Sequence, residues 1–387
     1  MAPACALPSS KTVCVMDASG RLGNALVESL LQRGYTVHAA LCNHDDVEAS
    51  KEGVLGEENK MLKVFRADPF DYHSIVDALR GCSGLFYSFE TPKDQPIYDD
   101  CMVEMEVRTA HNVLEACAQT ETMERVVFTS SVTAVVWKEG RKSMDDLDER
   151  DWSEPNFCRK LKLWHALAKT LAEKTAWALA MDRGVDMVSI NSGLLTGREI
   201  PVTTPYLKGA PEMYEDGVLV TVDIKFLVDA HIYVFESPSA YGRYLCFNHA
   251  VCRPEDVVKF SQMLSAYAAC PPPSEGLRVR QQKIKGKKLN KAMLEYAEGF
   301  SVRAVIRLAW SPIESSELVL ANTSLLKLNS LYLLLSTEGR QVPRDDELQG
   351  MTSSPRDDEL QGMTSSPRDD ELRGTNEQRA SRENEIR

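Results

Sequence analysis

Short apolar runs alternate along the chain with longer stretches in which apolar residues recur every three or four positions. The runs at 12–16, 36–41, 62–66, 84–88, 125–130 and 186–190 have the length and composition of buried strands. The stretches at 22–33, 72–80, 100–117 and 160–183 have helical spacing, and Gly34 stands where the first of them would stop. Strand and helix in strict alternation predict an α/β fold, a doubly wound parallel sheet with right-handed crossovers. From Pro201 to about residue 300 the alternation loosens and prolines accumulate, among them Pro205, Pro211 and those at 271–273. Residues 10–300 are therefore read as one domain, with a smaller C-terminal substrate lobe mainly in 200–300. Residues 301–338 are read as a partly helical extension.

The end of the chain differs in kind. The segment Pro343-Arg344-Asp345-Asp346-Glu347-Leu348-Gln349-Gly350-Met351-Thr352-Ser353-Ser354 recurs from Pro355 and again, shortened, from Pro367. One leucine and one methionine per unit give too little apolar face for repeats to stack on each other. Residues 339–387 are expected to form a disordered acidic tail. Its Asp-Asp-Glu triplets would suit a basic partner, although a solvated tail outside the chemistry is the simpler expectation.

Composition narrows the class. Of 387 residues, 43% are hydrophobic and 26% charged, the balance of a soluble globular protein. A net charge of -12 leaves no basic face for general nucleic-acid binding. The ten cysteines include no C-x-x-C pair, which suits neither a zinc site nor a disulfide framework. Reduced thiols in a cytoplasmic protein are expected. The residues before the first strand are too few for a signal peptide. The most apolar late stretch, 325–335, is broken by Lys327 and Asn329 and is far shorter than the ~20 residues a membrane helix needs.

The first candidate for chemistry is the turn Asp17-Ala18-Ser19-Gly20-Arg21-Leu22-Gly23, between the first strand and the first helix. Such a turn aims backbone N–H groups and a helix N-terminus at a pyrophosphate, the signature of a Rossmann dinucleotide site. Gly20 would let the phosphate approach and Gly23 would let the helix pack on the sheet. Asp17 holds the place of the first glycine of the motif. A carboxylate there would repel phosphate, so it is expected to turn aside and cap the helix. At the end of the second strand, Cys42-Asn43-His44 offers no acid for the ribose hydroxyls. With Arg21 in the loop, this favours NADP(H), with NAD(H) the alternative. Asp68, after the third strand, is placed to contact adenine or simply to end its strand at the surface.

The second candidate is the strand Val126-Val127-Phe128-Thr129-Ser130-Ser131, which ends in hydroxyls on the side of the sheet where ligands bind. His165 and Lys169 lie at i and i+4, one face of a helix. A serine to polarise a carbonyl, a proton donor and a lysine would make a carbonyl-reduction site, although an ordinary helix surface reads equally well from spacing alone.

Several motifs together resemble the extended short-chain dehydrogenase/reductases, in particular the plant cinnamoyl-CoA reductase and dihydroflavonol reductase group. They are the 13–20 segment, Gly81-Cys82-Ser83-Gly84-Leu85-Phe86, Arg125-Val126-Val127-Phe128-Thr129-Ser130-Ser131, Lys169-Thr170-Leu171-Ala172-Glu173, and Ser239-Ala240-Tyr241-Gly242-Arg243-Tyr244-Leu245-Cys246. The resemblance covers roughly residues 11–290. It implies NADPH, a small-molecule substrate such as a phenolic CoA ester or aldehyde, and a Ser-Tyr-Lys triad. Ser131 and Lys169 match that triad, while the tyrosine position of Tyr-x-x-x-Lys is His165. The family signature Asn-Trp-Tyr-Cys-Tyr-Gly-Lys is here Leu163-Trp164-His165-Ala166-Leu167-Ala168-Lys169, and Asn191 matches a family position whose usual following proline is Ser192.

The expected function is reduction of an aldehyde, ketone or acyl-CoA thioester, with His165 a weakened donor whose pKa Lys169 and the nicotinamide push down. Tyr87 is a less favoured substitute donor. The competing expectation is a catalytically silent dinucleotide-binding sensor or scaffold. A nucleotide-sugar epimerase or dehydratase shares the fold but not the later motifs.

Overall fold

The computed structural model describes residues 11–42, 60–90, 98–140, 146–197, 200–264 and 277–293. The extension at 301–338 and the repeat tail at 339–387 lie outside the described residues.

Alternation builds the centre of the molecule. In β1 (Thr12–Met16), Val13 and Val15 join one apolar cluster and Cys14 and Met16 another, and all four are buried. Successive side chains of a strand point to opposite faces, so a strand this apolar has to be covered on both. The other strands of the main sheet are β2 (Thr36–Leu41), β3 (Leu62–Arg66), β4 (Gly84–Tyr87), β5 (Arg125–Ser131), β6 (Met187–Ser192) and β9 (Gly242–Cys246), in the order β3-β2-β1-β4-β5-β6-β9. Every pairing in it is parallel. The expected doubly wound Rossmann sheet is present.

Two helical layers close it. α1 (Arg21–Gln32) and α7 (Ile224–Glu236) bury Leu26, Leu30, Leu227 and Phe235 against the Val13 face. α2 (Tyr72–Leu79), α3 (Asp100–Ala118) and α5 (Trp164–Arg183) cover the other face with Leu79, Val113, Leu114, Ala172 and Ala176. Local chemistry sets several helix starts. Asp71, Asp99 and Asp223 accept from the backbone N–H of His73, Met102 and Phe226, capping α2, α3 and α7.

Two sequence expectations change. The helical stretch at 160–183 is two helices, α4 (Pro155–Lys160) and α5, because Lys162 takes a left-handed backbone with φ 53°. Apolar periodicity runs straight through this break. The segment expected to form a substrate lobe is also divided. α7 and β9 return to the main layers, while β7 (Leu194–Leu195), β8 (Val220–Val222) and β10 (His249–Ala250) form a separate three-stranded sheet. Around that sheet Tyr206, Met213 of α6 (Ala210–Glu215), Val220 and Phe260 of α8 (Pro254–Met263) share a second core with Trp137 and Leu167.

Candidate functional site

Strand order reverses between β1 and β4, and in open parallel sheets the carboxyl ends of the strands at such a point bound a ligand crevice. β1 and β4 pair with Met16 opposite Tyr87. The turn after β1 and the segment after β4 therefore emerge side by side. Gly23 seals the first of these. A Cβ there would be driven into the Asp17 carbonyl oxygen and to 2.8 Å from the Ala18 Cα.

Asp17 does not take the role expected of it. The cap residue of α1 is Gly20, and Asp17 Oδ2 instead accepts from the backbone N–H of Glu90 at 3.2 Å. Asp17 itself has φ 64°, a left-handed conformation that aspartate tolerates better than most residues. The carboxylate that lies against the start of α1, over Gly20, belongs to Glu90, and the N–H groups of Arg21 and Leu22 favour its charged form. Ser19 and Arg21 are exposed, and the Arg21 guanidinium donates to the Thr196 carbonyl at 2.8 Å. Cys42 follows β2 directly and is half-buried. Asp68 is exposed after β3, where its side chain accepts from Phe70 N–H in a local turn.

Beside the turn lies a cavity of about 590 Å³. Leu22, Ser131, His165, Lys169, Tyr98 and Tyr206 are among its lining residues. The end of β5 and the first turns of α5 thus bring the three expected catalytic residues to one space. Thr133 joins two of them. The Ser131 Oγ accepts from Thr133 N–H at 3.2 Å and from Thr133 Oγ1 at 3.0 Å. Thr133 has a single hydroxyl proton, so it meets His165 Nδ1, at 3.2 Å, as an acceptor. The ring proton therefore sits on Nδ1 and Nε2 keeps its lone pair. Burial, and then the charge of Lys169, lower the His165 pKa to about 3, so the imidazole is neutral at pH 7.

Lys169 is tied down. Its Nζ pairs with Glu106 at 2.7 Å and donates to the Phe89 carbonyl at 3.1 Å, leaving one of three donor protons. The Tyr98 hydroxyl donates to the other Glu106 oxygen, and its ring lies 5.5 Å from that of His165. Burial and Glu106 hold the Tyr98 phenol well above its ordinary pKa. Tyr87 lies elsewhere: it is buried in the core, its hydroxyl within 3.1 Å of Thr109 Oγ1, and burial raises its pKa.

Behind β5 stands a buried charge network. The Glu173 carboxylate is fully buried. It accepts from Ser130 Oγ at 2.7 Å, Ser189 Oγ at 2.7 Å, Asn191 Nδ2 at 2.7 Å and Arg243 Nε at 2.8 Å. Asn191 Nδ2 also reaches the Ser131 carbonyl at 3.3 Å. The network holds the end of the strand that carries Ser131.

Residues 9–146 match the NmrA-like family. The chain is 35% identical over 295 residues to cinnamoyl-CoA reductase 1 of Petunia hybrida, spanning 74% of this chain and 86% of that protein. Vestitone reductase from alfalfa (Medicago sativa) superposes with a TM-score of 0.56 at 28% identity, covering 73% of this chain and 91% of that one. A yeast methylglyoxal/isovaleraldehyde reductase complexed with NADPH shares the fold, with a TM-score of 0.58 at 16% identity over 73% and 92% of the two chains. Sequence, sheet order and crevice agree, and the chain belongs to the extended short-chain dehydrogenase/reductases of the group that includes the cinnamoyl-CoA reductases.

Proposed function

We propose that the chain is an NADP(H)-dependent reductase of an aldehyde, ketone or acyl-CoA thioester. The observation that carries this reading is the convergence of Ser131, His165 and Lys169 on one cavity beside the glycine turn. The glycine turn and the N–H left on Lys169 suit a dinucleotide, the absence of an acid at Cys42 suits one with a 2′-phosphate, and NADPH is what the yeast reductase of this fold carries. A bound reduced nicotinamide would supply the hydride.

The chain's own residues would do the rest. Ser131 accepts two hydrogen bonds from Thr133, which leaves its own proton to donate to a substrate carbonyl oxygen. Lys169 has one N–H to hold a ribose hydroxyl. His165 stands in the donor's position but presents a neutral ring whose free nitrogen accepts protons. Proton delivery is therefore the weak step, and general-acid help is typically worth ~10²–10⁴-fold.

Replacing His165 by tyrosine tests the reading. H165Y should raise kcat by about a hundredfold or more against a suitable CoA ester or aldehyde. Absence of turnover in both forms, across phenolic CoA esters and aldehydes with NADPH, would overturn the enzyme reading. The second reading is a silent dinucleotide-binding protein, favoured by the pairing of Lys169 with Glu106. It predicts NADPH binding with no turnover in either form.

A further inference from the structure

The space at the start of α1 is already occupied by the chain itself. A Cβ built on Gly20 would lie 2.7 Å from Cδ and Oε1 of Glu90 and 3.0 Å from Oε2, so the carboxylate rests directly on that glycine. There it faces the backbone N–H groups of Arg21 and Leu22, the first two residues of α1, which favour its charged form. The helix has no capping side chain of its own and no acidic residue in its first turn. Its N-terminal anion comes instead from the end of the β4 segment. The Glu90 main chain is anchored separately, through its N–H to Asp17 Oδ2, which leaves the carboxylate as the part that can swing.

A diphosphate seeks the same N–H groups for the same reason, since unsatisfied donors and the helix dipole both favour negative charge there. Two anions cannot share the space over Gly20. We propose that Glu90 is an internal phosphate surrogate: its carboxylate holds the α1 N-terminus in the free protein, and the pyrophosphate of a dinucleotide has to displace it. The idea rests on the dinucleotide reading of the site. It makes Glu90, a residue outside the triad, a principal determinant of cofactor affinity.

The surrounding charges set how firmly the surrogate holds. Arg21 of α1 and Lys169 of α5 attract it, while Asp17 after β1 and Glu106 of α3, the partner of Lys169, add negative charge nearby. His165, on α5, contributes no charge while neutral. Glu90 is exposed as a residue, yet partial desolvation of its carboxylate beside the glycine turn raises its pKa against the pull of Lys169, Arg21 and the two N–H groups. A protonated Glu90 releases the donors more readily than a carboxylate. Anion affinity should therefore rise as pH falls through the titration of Glu90.

The test is calorimetric titration of NADP⁺ and, separately, inorganic pyrophosphate into the full-length wild type, Glu90→Gln and Glu90→Ser. Glu90→Ser should bind both ligands about tenfold more tightly than wild type, the scale of an anion at a helix N-terminus with charged hydrogen bonds. Glu90→Gln, which keeps the shape and loses the charge, should fall between them. It should also lose the part of the pH dependence that the titration of Glu90 gives the wild type. Equal or weaker binding of both ligands by both variants would overturn the surrogate while NADP⁺ binding preserved the dinucleotide reading. If no form bound NADP⁺ but the variants still held pyrophosphate more tightly, the surrogate would stand and the dinucleotide reading would fall. No binding of either ligand by any form overturns both.

Discussion

Replacing Glu173 by glutamine should cost the protein more stability than almost any other isosteric change. The carboxylate is fully buried and Arg243 is 8% exposed, so neither charge has water to fall back on. Glu173→Gln keeps one acceptor oxygen, removes the charge that neutralises Arg243, and points an NH₂ group at donors on Ser130 and Asn191. Breaking one side of a buried pair costs about 3–5 kcal/mol, and the mismatched donors fall within that range because the same atoms are counted in both effects. In a domain of this size each kcal/mol lowers Tm by about 2 °C, so a fall of about 6–10 °C is expected. Thermal scanning with urea unfolding at matched m-values would measure it. The double variant Glu173→Leu with Arg243→Met removes both charges and should recover most of the loss. A Glu173→Gln protein within about 2 °C of wild type, or a double variant no better than the single, would refute the argument that these are desolvated charges stabilising each other.

Two further outcomes follow from other buried groups. His231 is fully buried with Nδ1 donating to the Leu227 carbonyl and Nε2 bonded to Thr129 Oγ1, and burial lowers its pKa to about 4. The unfolded chain protonates near ~6.5, so stability is complete above that pH and falls as pH drops from 6.5 toward 4; at pH 5 the loss from His231 is about 2 kcal/mol, readable as a drop in urea midpoint that His231→Gln should lessen. Lys169→Met strands the buried Glu106 carboxylate with Tyr98 alone, so it should destabilise by about 3 kcal/mol in urea unfolding, and adding Glu106→Gln should restore most of that; an unchanged midpoint in the single variant would contradict the buried pairing.

The layered fold was largely legible because it follows from period. Strand runs buried on both faces announce themselves as unbroken apolar stretches, and β1 to β6 fall within a residue or two of where the pattern puts them. The split before α5 was not legible, because Lys162 is no turn residue and its left-handed backbone is held by main-chain bonds, Lys162 N–H to the Arg159 carbonyl and Leu163 N–H to the Cys158 carbonyl. The return of β9 to the main sheet was hidden because its neighbour β6 is separated from it in sequence by two of the smaller sheet's three strands and by α6 and α7.

In the site, the positions of Ser131 and Lys169 were readable from strand end and helix face. The charges that constrain them were not, since Glu90, Glu106 and Arg243 meet their partners across distances of chain that no local motif spans. One signal was available. Lys169 and Glu173 lie among Ala166, Ala172 and Ala176 on the buried side of their helix, and charges at core spacing demand partners. Asp17 misled for want of such a partner: read alone it is a helix cap, and beside Glu90 it is an anchor for the neighbouring strand segment.

The Glu173–Arg243 pair also bears on the order in which the chain matures. β6 ends at Ser192 and its sheet neighbour β9 begins at Gly242, so β6 waits at an open edge while the intervening segment is made. At ribosomal speeds of about 5–20 residues per second, that interval lasts roughly 3–10 seconds. Through it Val188 and Ile190 have no neighbour on that side, and Glu173 has no countercharge. Burying the carboxylate then would bury a lone charge, so α5 settles fully only once Arg243 arrives. A nascent chain halted before Gly242 would be left with an unguarded parallel edge, a template for pairing with other nascent chains. The last strand of the sheet therefore brings β6 its neighbour and Glu173 its countercharge in one step.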